Sequence, residues 1–122
     1  SGILARRSYV SKNPDITLRF LKAWIEGLYL FRAKPEFALA TLKKYVATQD
    51  AEVLNTIYNL YRERLMTKPT PTARVAKSML YLLSRSSPEV AGVNPEGFIE
   101  ARYINELESS GFFDEMNRLY AK

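Results

Sequence analysis

The run PDITLRFLKAWIEGLYLFRA, from Pro14 to Ala33, decides the fold class. Its charged residues Asp15, Arg19, Lys22 and Glu26 recur at intervals of four, three and four, the spacing of one helical stripe. Nearly everything else on it is apolar: Ile16, Leu18, Phe20, Leu21, Trp24, Ile25, Leu28, Leu30 and Phe31 among others. That apolar arc is wider than the face of an ordinary amphipathic helix, so the spacing predicts a helix covered on several sides. Gly27 costs roughly 1 kcal/mol against alanine in a helix interior, which leads us to expect a neighbouring backbone close to it.

Helix starts can be read outward from this run, because x-Pro-acidic occurs at Asn13-Pro14-Asp15, Lys34-Pro35-Glu36, Ser87-Pro88-Glu89 and Asn94-Pro95-Glu96. Proline loses nothing at the first helical position, and a carboxylate next to it faces the positive end of the helix dipole. Asn13, Ser87, Asn94, Asp50 and Thr72 are suitable caps, with a side-chain oxygen for the free amides; Lys34 is not. Helices are therefore expected over 14–33, 35–48, 51–65, 72–84, 95–109 and 112–120.

The expected inward faces are Ala38, Leu42, Tyr45 and Val46; Leu54, Ile57, Tyr58, Tyr61 and Leu65; and Val75, Met79, Leu82 and Leu83. The last two helices offer Phe98, Tyr103, Ile104 and Leu107, then Met116, Leu119 and Tyr120. Lys68-Pro69-Thr70-Pro71-Thr72 is a rigid linker, since each proline drives its predecessor toward extended geometry. Gly111 suits a helix C-terminus. No run alternates with a period of two, and only residues 1–10 suit an extended lead-in. The chain, 1–122, is thus expected to be a single all-α unit of five or six helices. The proline marks share no period, so a helical-repeat array is not indicated.

Composition narrows the chemistry. The 122 residues include neither cysteine nor histidine, which removes disulfides, thiol and imidazole catalysis, and the common zinc, haem and iron–sulfur ligand sets. No apolar stretch approaches the length of a membrane-spanning helix. The first residues, Ser1 to Arg7, lack the basic-then-apolar order of a signal peptide. Of the net +5, residues 1–44 hold nine basic and three acidic side chains, and residues 45–122 hold nine and ten. The cations are spread along helices with no dense arm, which points to solvated faces rather than nucleic acid.

Taken in order, Arg7-Ser8-Tyr9-Val10, Asn13-Pro14-Asp15, Phe20 to Gly27, Pro35-Glu36 with Leu42 and Tyr45, Asp50 with Val53-Leu54, Tyr58, Pro71, Phe98 and Leu107 to Phe112 resemble a known pattern. They are similar to the C-terminal part of the solute-binding proteins of ABC importers, in the group serving nitrate, sulfonate, taurine and thiamine precursors. The resemblance covers nearly the whole chain and lies in the number and order of segments rather than in one motif. It implies a fragment, the last third of a two-lobe α/β protein of the type II periplasmic binding fold, with Gly2–Val10 ending a strand that returns to the first lobe.

The resemblance further implies a parent outside the cytoplasmic membrane, periplasmic or extracellular and membrane-associated, free or lipid-tethered, with any signal sequence upstream. Its partners are a small-molecule solute held mainly by upstream residues and the ABC permease subunits, with no nucleic acid. No cofactor, metal or catalytic residue is implied, and the parent is not an enzyme. Arg6 and Arg7 are the ligand-binding candidates here, because a guanidinium fork matches the oxygens of nitrate or a sulfonate; the plainer reading is two surface arginines beside a strand.

Other groupings read as structural. The tyrosines Tyr9, Tyr29, Tyr45, Tyr58, Tyr61, Tyr81, Tyr103 and Tyr120 fall mostly at core or boundary positions rather than forming a stacking surface. Glu106/Glu108 and Asp114/Glu115 point to different helix sides and are expected to be solvated. The competing reading of the whole is an autonomous helical interaction module with a groove beside Trp24.

Overall fold

A computed structural model describes residues 2–120, and these are all-α. Their helices are α1 (Arg7–Lys12), α2 (Pro14–Ala33), α3 (Pro35–Tyr45), α4 (Ala51–Arg64), α5 (Ala73–Ser84), α6 (Arg102–Ser109) and α7 (Phe112–Tyr120). Two single 3₁₀ turns, Pro88–Val90 and Pro95–Phe98, separate α5 from α6. The described residues thus form seven α-helices where five or six were expected.

The extra helix replaces the extended lead-in. Within residues 1–10, Arg7–Val10 belong to α1 and no strand occurs among the described residues; Ser1 lies outside them. A six-residue helix has little stability of its own, and tertiary bonds hold this one. The Arg7 guanidinium donates to the Gly97 carbonyl, and the Tyr103 hydroxyl donates to the Val10 carbonyl at 3.3 Å. These partners lie 90 and 93 residues away, beyond the reach of local pattern reading.

The other overturned helix is 95–109. Asn94 caps it as expected, its Oδ1 accepting from the Glu96 amide at 3.1 Å, but the helix stops after one 3₁₀ turn and Ile99 is extended. Gly97, a poor helix former, lies within that turn, and Glu100 begins a new helix by accepting from the Arg102 amide at 3.1 Å. The 35–48 segment also ends early, at Tyr45, with Val46 extended and its amide bonded to Leu42. The remaining boundaries fall within a residue of expectation.

Capping is mixed. Asp50 accepts from the Glu52 and Val53 amides at 2.8 and 3.3 Å, and Thr72 from the Val75 amide at 3.4 Å. Asn13 and Ser87 make no side-chain cap. The Asn13 amide instead donates back to Tyr9 O at 2.9 Å, closing α1 rather than opening α2. Gly111, at φ +77°, takes the left-handed position that ends α6, and its amide donates to Glu108 O at 3.1 Å.

The core lies where α2 meets the α6–α7 hairpin. Ile25 and Tyr29 pack with Ile104, Leu107, Phe112, Phe113 and Met116, with Leu18, Leu21, Trp24 and Tyr120 around them. Phe112 and Phe113 meet edge to face at 5.7 Å. A second small cluster joins the end of α2 to the α3–α4 hairpin: Ala38, Leu54 and Tyr58 are buried, and Tyr58 lies 5.3 Å from the Phe31 ring. The helix α5 packs against the two 3₁₀ turns.

Four expectations about burial are corrected. Only Ile25, Leu28 and Tyr29 of α2 are buried, while Ile16 and Phe20 are exposed, Phe20 by 52%; the helix is covered on one side. No heavy atom would meet a Cβ at Gly27 within 4 Å, so no backbone approaches it. On α5, Val75, Met79, Leu82 and Leu83 are all exposed, because the half-buried face is Ala73, Ala76, Leu80 and Ser84. Tyr45, Tyr61, Phe98 and Leu119, expected inward, are exposed as well. Among the tyrosines, Tyr29, Tyr58 and Tyr103 are buried, and Tyr9, Tyr45, Tyr61 and Tyr81 are exposed.

The accessible surface is 9,212 Å², whereas a compact monomer of this mass presents about 6,700 Å². Large apolar side chains, among them Leu4, Phe20, Met66, Leu82 and Phe98, contribute to that exposed surface.

Two substitutions test this packing by urea denaturation. Leu107→Ala, at the fully buried centre, is expected to destabilise by about 3 kcal/mol. Gly27→Ala, exposed and unobstructed, is expected to stabilise by roughly 0.5–1 kcal/mol. Destabilisation by Gly27→Ala would restore a close neighbour at that position.

Candidate functional site

Arg6 and Arg7 lie at the start of α1. Arg6 precedes the helix in extended conformation, and its carbonyl accepts from the Tyr9 and Val10 amides at 3.0 and 3.1 Å. Its side chain is exposed. Arg7 directs Nη2 to the Gly97 carbonyl, so one arm of the fork ties α1 to the Pro95–Phe98 turn. A guanidinium has donors beyond that single bond, and the side chain remains exposed.

A third arginine stands at the same junction. Arg102 lies 4.8 Å over the Tyr103 ring, donates to its hydroxyl at 3.2 Å, and meets Glu100 at 3.4 Å. The Tyr103 hydroxyl in turn donates a hydrogen bond to Val10 O. Arg7, Arg102 and Tyr103 therefore join α1, the 3₁₀ turn and α6 through one set of polar contacts. Sequence reading found Arg7 but missed Arg102 and Tyr103, whose roles depend on contacts with distant segments.

Two surface clefts lie elsewhere, and neither candidate arginine lines them. The larger, about 450 Å³, runs between α5 and the Val90–Pro95 loop; Leu80, Val90 and Val93 form its apolar wall, and Lys77, Ser84 and Asn94 its polar edge. The smaller, about 380 Å³, is bounded by Arg32, Asn59, Arg62 and Glu63 where α2 ends beside α4. Both are open to solvent. Trp24 does not border either; it packs against the core, so the expected groove beside it is filled by the α6–α7 side chains.

No cluster of three or more Asp or Glu side chains forms among the described residues. Glu108 pairs with Lys68, fastening the proline-rich linker to α6. Lys68 also lies 5.8 Å over the Phe113 ring, and Lys22 lies 5.9 Å over Phe112. These cations cover the core's edge.

One titration is displaced. Tyr120 donates its hydroxyl to Glu26 at 2.7 Å, and that bond to a carboxylate holds the phenol above the usual tyrosine range. The bond belongs to the protonated phenol. Its contribution to stability is present below pH about 10 and is lost as pH rises through the raised value.

Comparison with protein-family models, with curated proteins and with solved structures finds no match.

The Tyr120 bond yields a direct spectroscopic test. In a phenolate absorbance titration, Glu26→Gln is expected to shift one tyrosine's ionisation to lower pH, and Tyr120→Phe to remove the same component. If the wild type and Glu26→Gln titrate alike, the bond is not formed in solution.

Proposed function

We propose that this chain is the C-terminal helical part of the extracytoplasmic solute-binding component of an ABC-type importer, which captures a small solute and delivers it to a membrane permease. The chemistry is binding, not catalysis. The observation that carries the reading is the uncovered apolar surface: Ile16 and Phe20 on α2 and the outer stripe of α5 remain in water. A folded chain with this much apolar surface exposed suits a part that packs on a larger body. The order of segments from Arg7 to Phe112 identifies that body with the lobes of a nitrate-, sulfonate- or taurine-type binding protein.

On this reading Arg6 and Arg7 lie near the lobe junction, where Arg6 and the uncommitted donors of Arg7 suit an anionic solute. Most of the ligand contacts come from upstream residues. The permease subunits are the macromolecular partner, and the parent works in the periplasm or at the outer face of the membrane, free or lipid-tethered.

One observation favours a second reading, an autonomous helical interaction module. The exposed stripe on α5 is amphipathic and continuous, as a partner-binding helix would be.

Two measurements separate the readings. The isolated chain is expected to bind the dye ANS or self-associate, because its uncovered face seeks apolar contact. A longer polypeptide carrying this chain is expected to gain melting temperature with one of nitrate, bicarbonate, alkylsulfonates, taurine or pyrimidines, while the isolated chain does not. A dye-silent, monomeric, cooperatively unfolding chain, with no thermal shift in the longer polypeptide, would remove the solute-binding reading and leave the interaction module.

A further inference from the structure

From Arg64 to Pro88 the chain has no carboxylate and five cations: Arg64, Lys68, Arg74, Lys77 and Arg85. Lys68 is engaged with Glu108. Arg74, Lys77 and Arg85 are exposed, and none pairs with a carboxylate among the described residues. They lie on or directly after α5.

The same helix exposes a long apolar stripe. Val75, Met79, Leu82 and Leu83 follow at intervals of four, three and one, which keeps them on one side of a helix. They are uncovered, Leu82 by 63%. The adjoining side, Ala73, Ala76, Leu80 and Ser84, faces the 3₁₀ turns. At 100° per residue, Arg74 and Arg85 lie together along one edge of the stripe, with Tyr81, exposed by 70%, next to them; Lys77 lies on the far side, at the cleft with the Val90–Pro95 loop. The stripe is thus apolar, bordered along one edge by two arginines, and left in water by packing on the adjoining side.

We propose that α5 docks on an anionic lipid surface, lying in the interface plane with Val75, Met79, Leu82 and Leu83 inserted and Arg74 and Arg85 at the headgroups. Charge complementarity selects this occupant. The cations match anionic headgroups, and apolar insertion supplies the rest of the affinity. An antiparallel second copy is disfavoured, because apposed stripes would bring the two arginine edges together without a carboxylate on either helix. The helix is already folded on its packed side, so binding does not bear the cost of ordering a twelve-residue segment. This inference does not rest on the solute-binding reading and competes with it for the α5 stripe, which that reading counts among the surfaces a larger body covers.

Flotation of the 122-residue chain with vesicles of phosphatidylglycerol and phosphatidylcholine, against phosphatidylcholine alone, tests it. Binding is expected on the anionic vesicles and is expected to weaken as salt rises. The double variant Arg74→Gln with Arg85→Gln should lower partitioning about 25-fold, about fivefold for each cation. Leu82→Ser, at an exposed position that packing does not require, should lower it about tenfold or more while circular dichroism stays unchanged. Four outcomes overturn the proposal: a folded chain that does not float; equal binding to neutral vesicles; no response to either variant; or a dimer that Leu82→Ser returns to monomer, which assigns the stripe to a second copy. The proposal also fails if a longer polypeptide carrying the chain no longer floats, since its remainder then covers α5. Solute-induced thermal shifts bear on none of these outcomes.

Discussion

The contact between Ile25 and the α6–α7 hairpin is the constraint on which the rest depends. Ile25 and Leu107 are the large side chains withdrawn completely from water, and they come from segments at opposite ends of the chain. Burying a side chain of this kind contributes roughly 1.5–3 kcal/mol. Around that contact Tyr29, Phe112, Phe113 and Met116 close the apolar cluster. Two polar bonds, Tyr29 to Asn117 and Tyr120 to Glu26, fix α7 along α2. The α3–α4 hairpin and the α5 segment attach to this centre from outside and bury much less.

That distribution explains why one chain contains both well-packed and bare helices. The middle of α2 faces two helices and is fully covered at Ile25, whereas Leu18 and Leu21 in its N-terminal half are only partly buried and Phe20 is left in water. In α5 the side that packs is the one with small residues, Ala73 and Ala76, which lets the 3₁₀ turns approach. Its larger apolar residues are left outside. The two docking ideas share the α5 stripe, and the missing body draws on Ile16 and Phe20 of α2 as well.

Local chemistry was legible in the sequence, and distant contacts were not. Asp50, Thr72 and Asn94 cap as their side chains dictate because the amides they bond are two or three residues away. Gly111 ends its helix for a similarly local reason. Asn13 was misread because its side chain had an equally near alternative, the Tyr9 carbonyl. Periodicity found the α5 helix but chose the wrong face, since apolar residues occupy more of its circumference than one neighbour can cover. Of the candidate site, Arg7 was visible as half of a basic pair, yet its bond to Gly97 spans 90 residues. The α1 helix was invisible for the same reason, because what holds it is that bond and the one from Tyr103.

The long sequence separation of the core contacts also bears on how the molecule is made. Synthesis runs from the N-terminus, so α2 emerges early with Phe20, Trp24, Ile25 and Leu28 lacking their partners. The α3–α4 hairpin can follow it at once, since its contacts are local. The core cannot close until Phe112, Phe113 and Met116 have left the ribosome, and the Tyr120–Glu26 bond joins residues 94 apart. Between the emergence of α2 and that of α7 the nascent chain therefore presents α2 as an open apolar helix. That interval, rather than the finished fold, is when it needs a chaperone most.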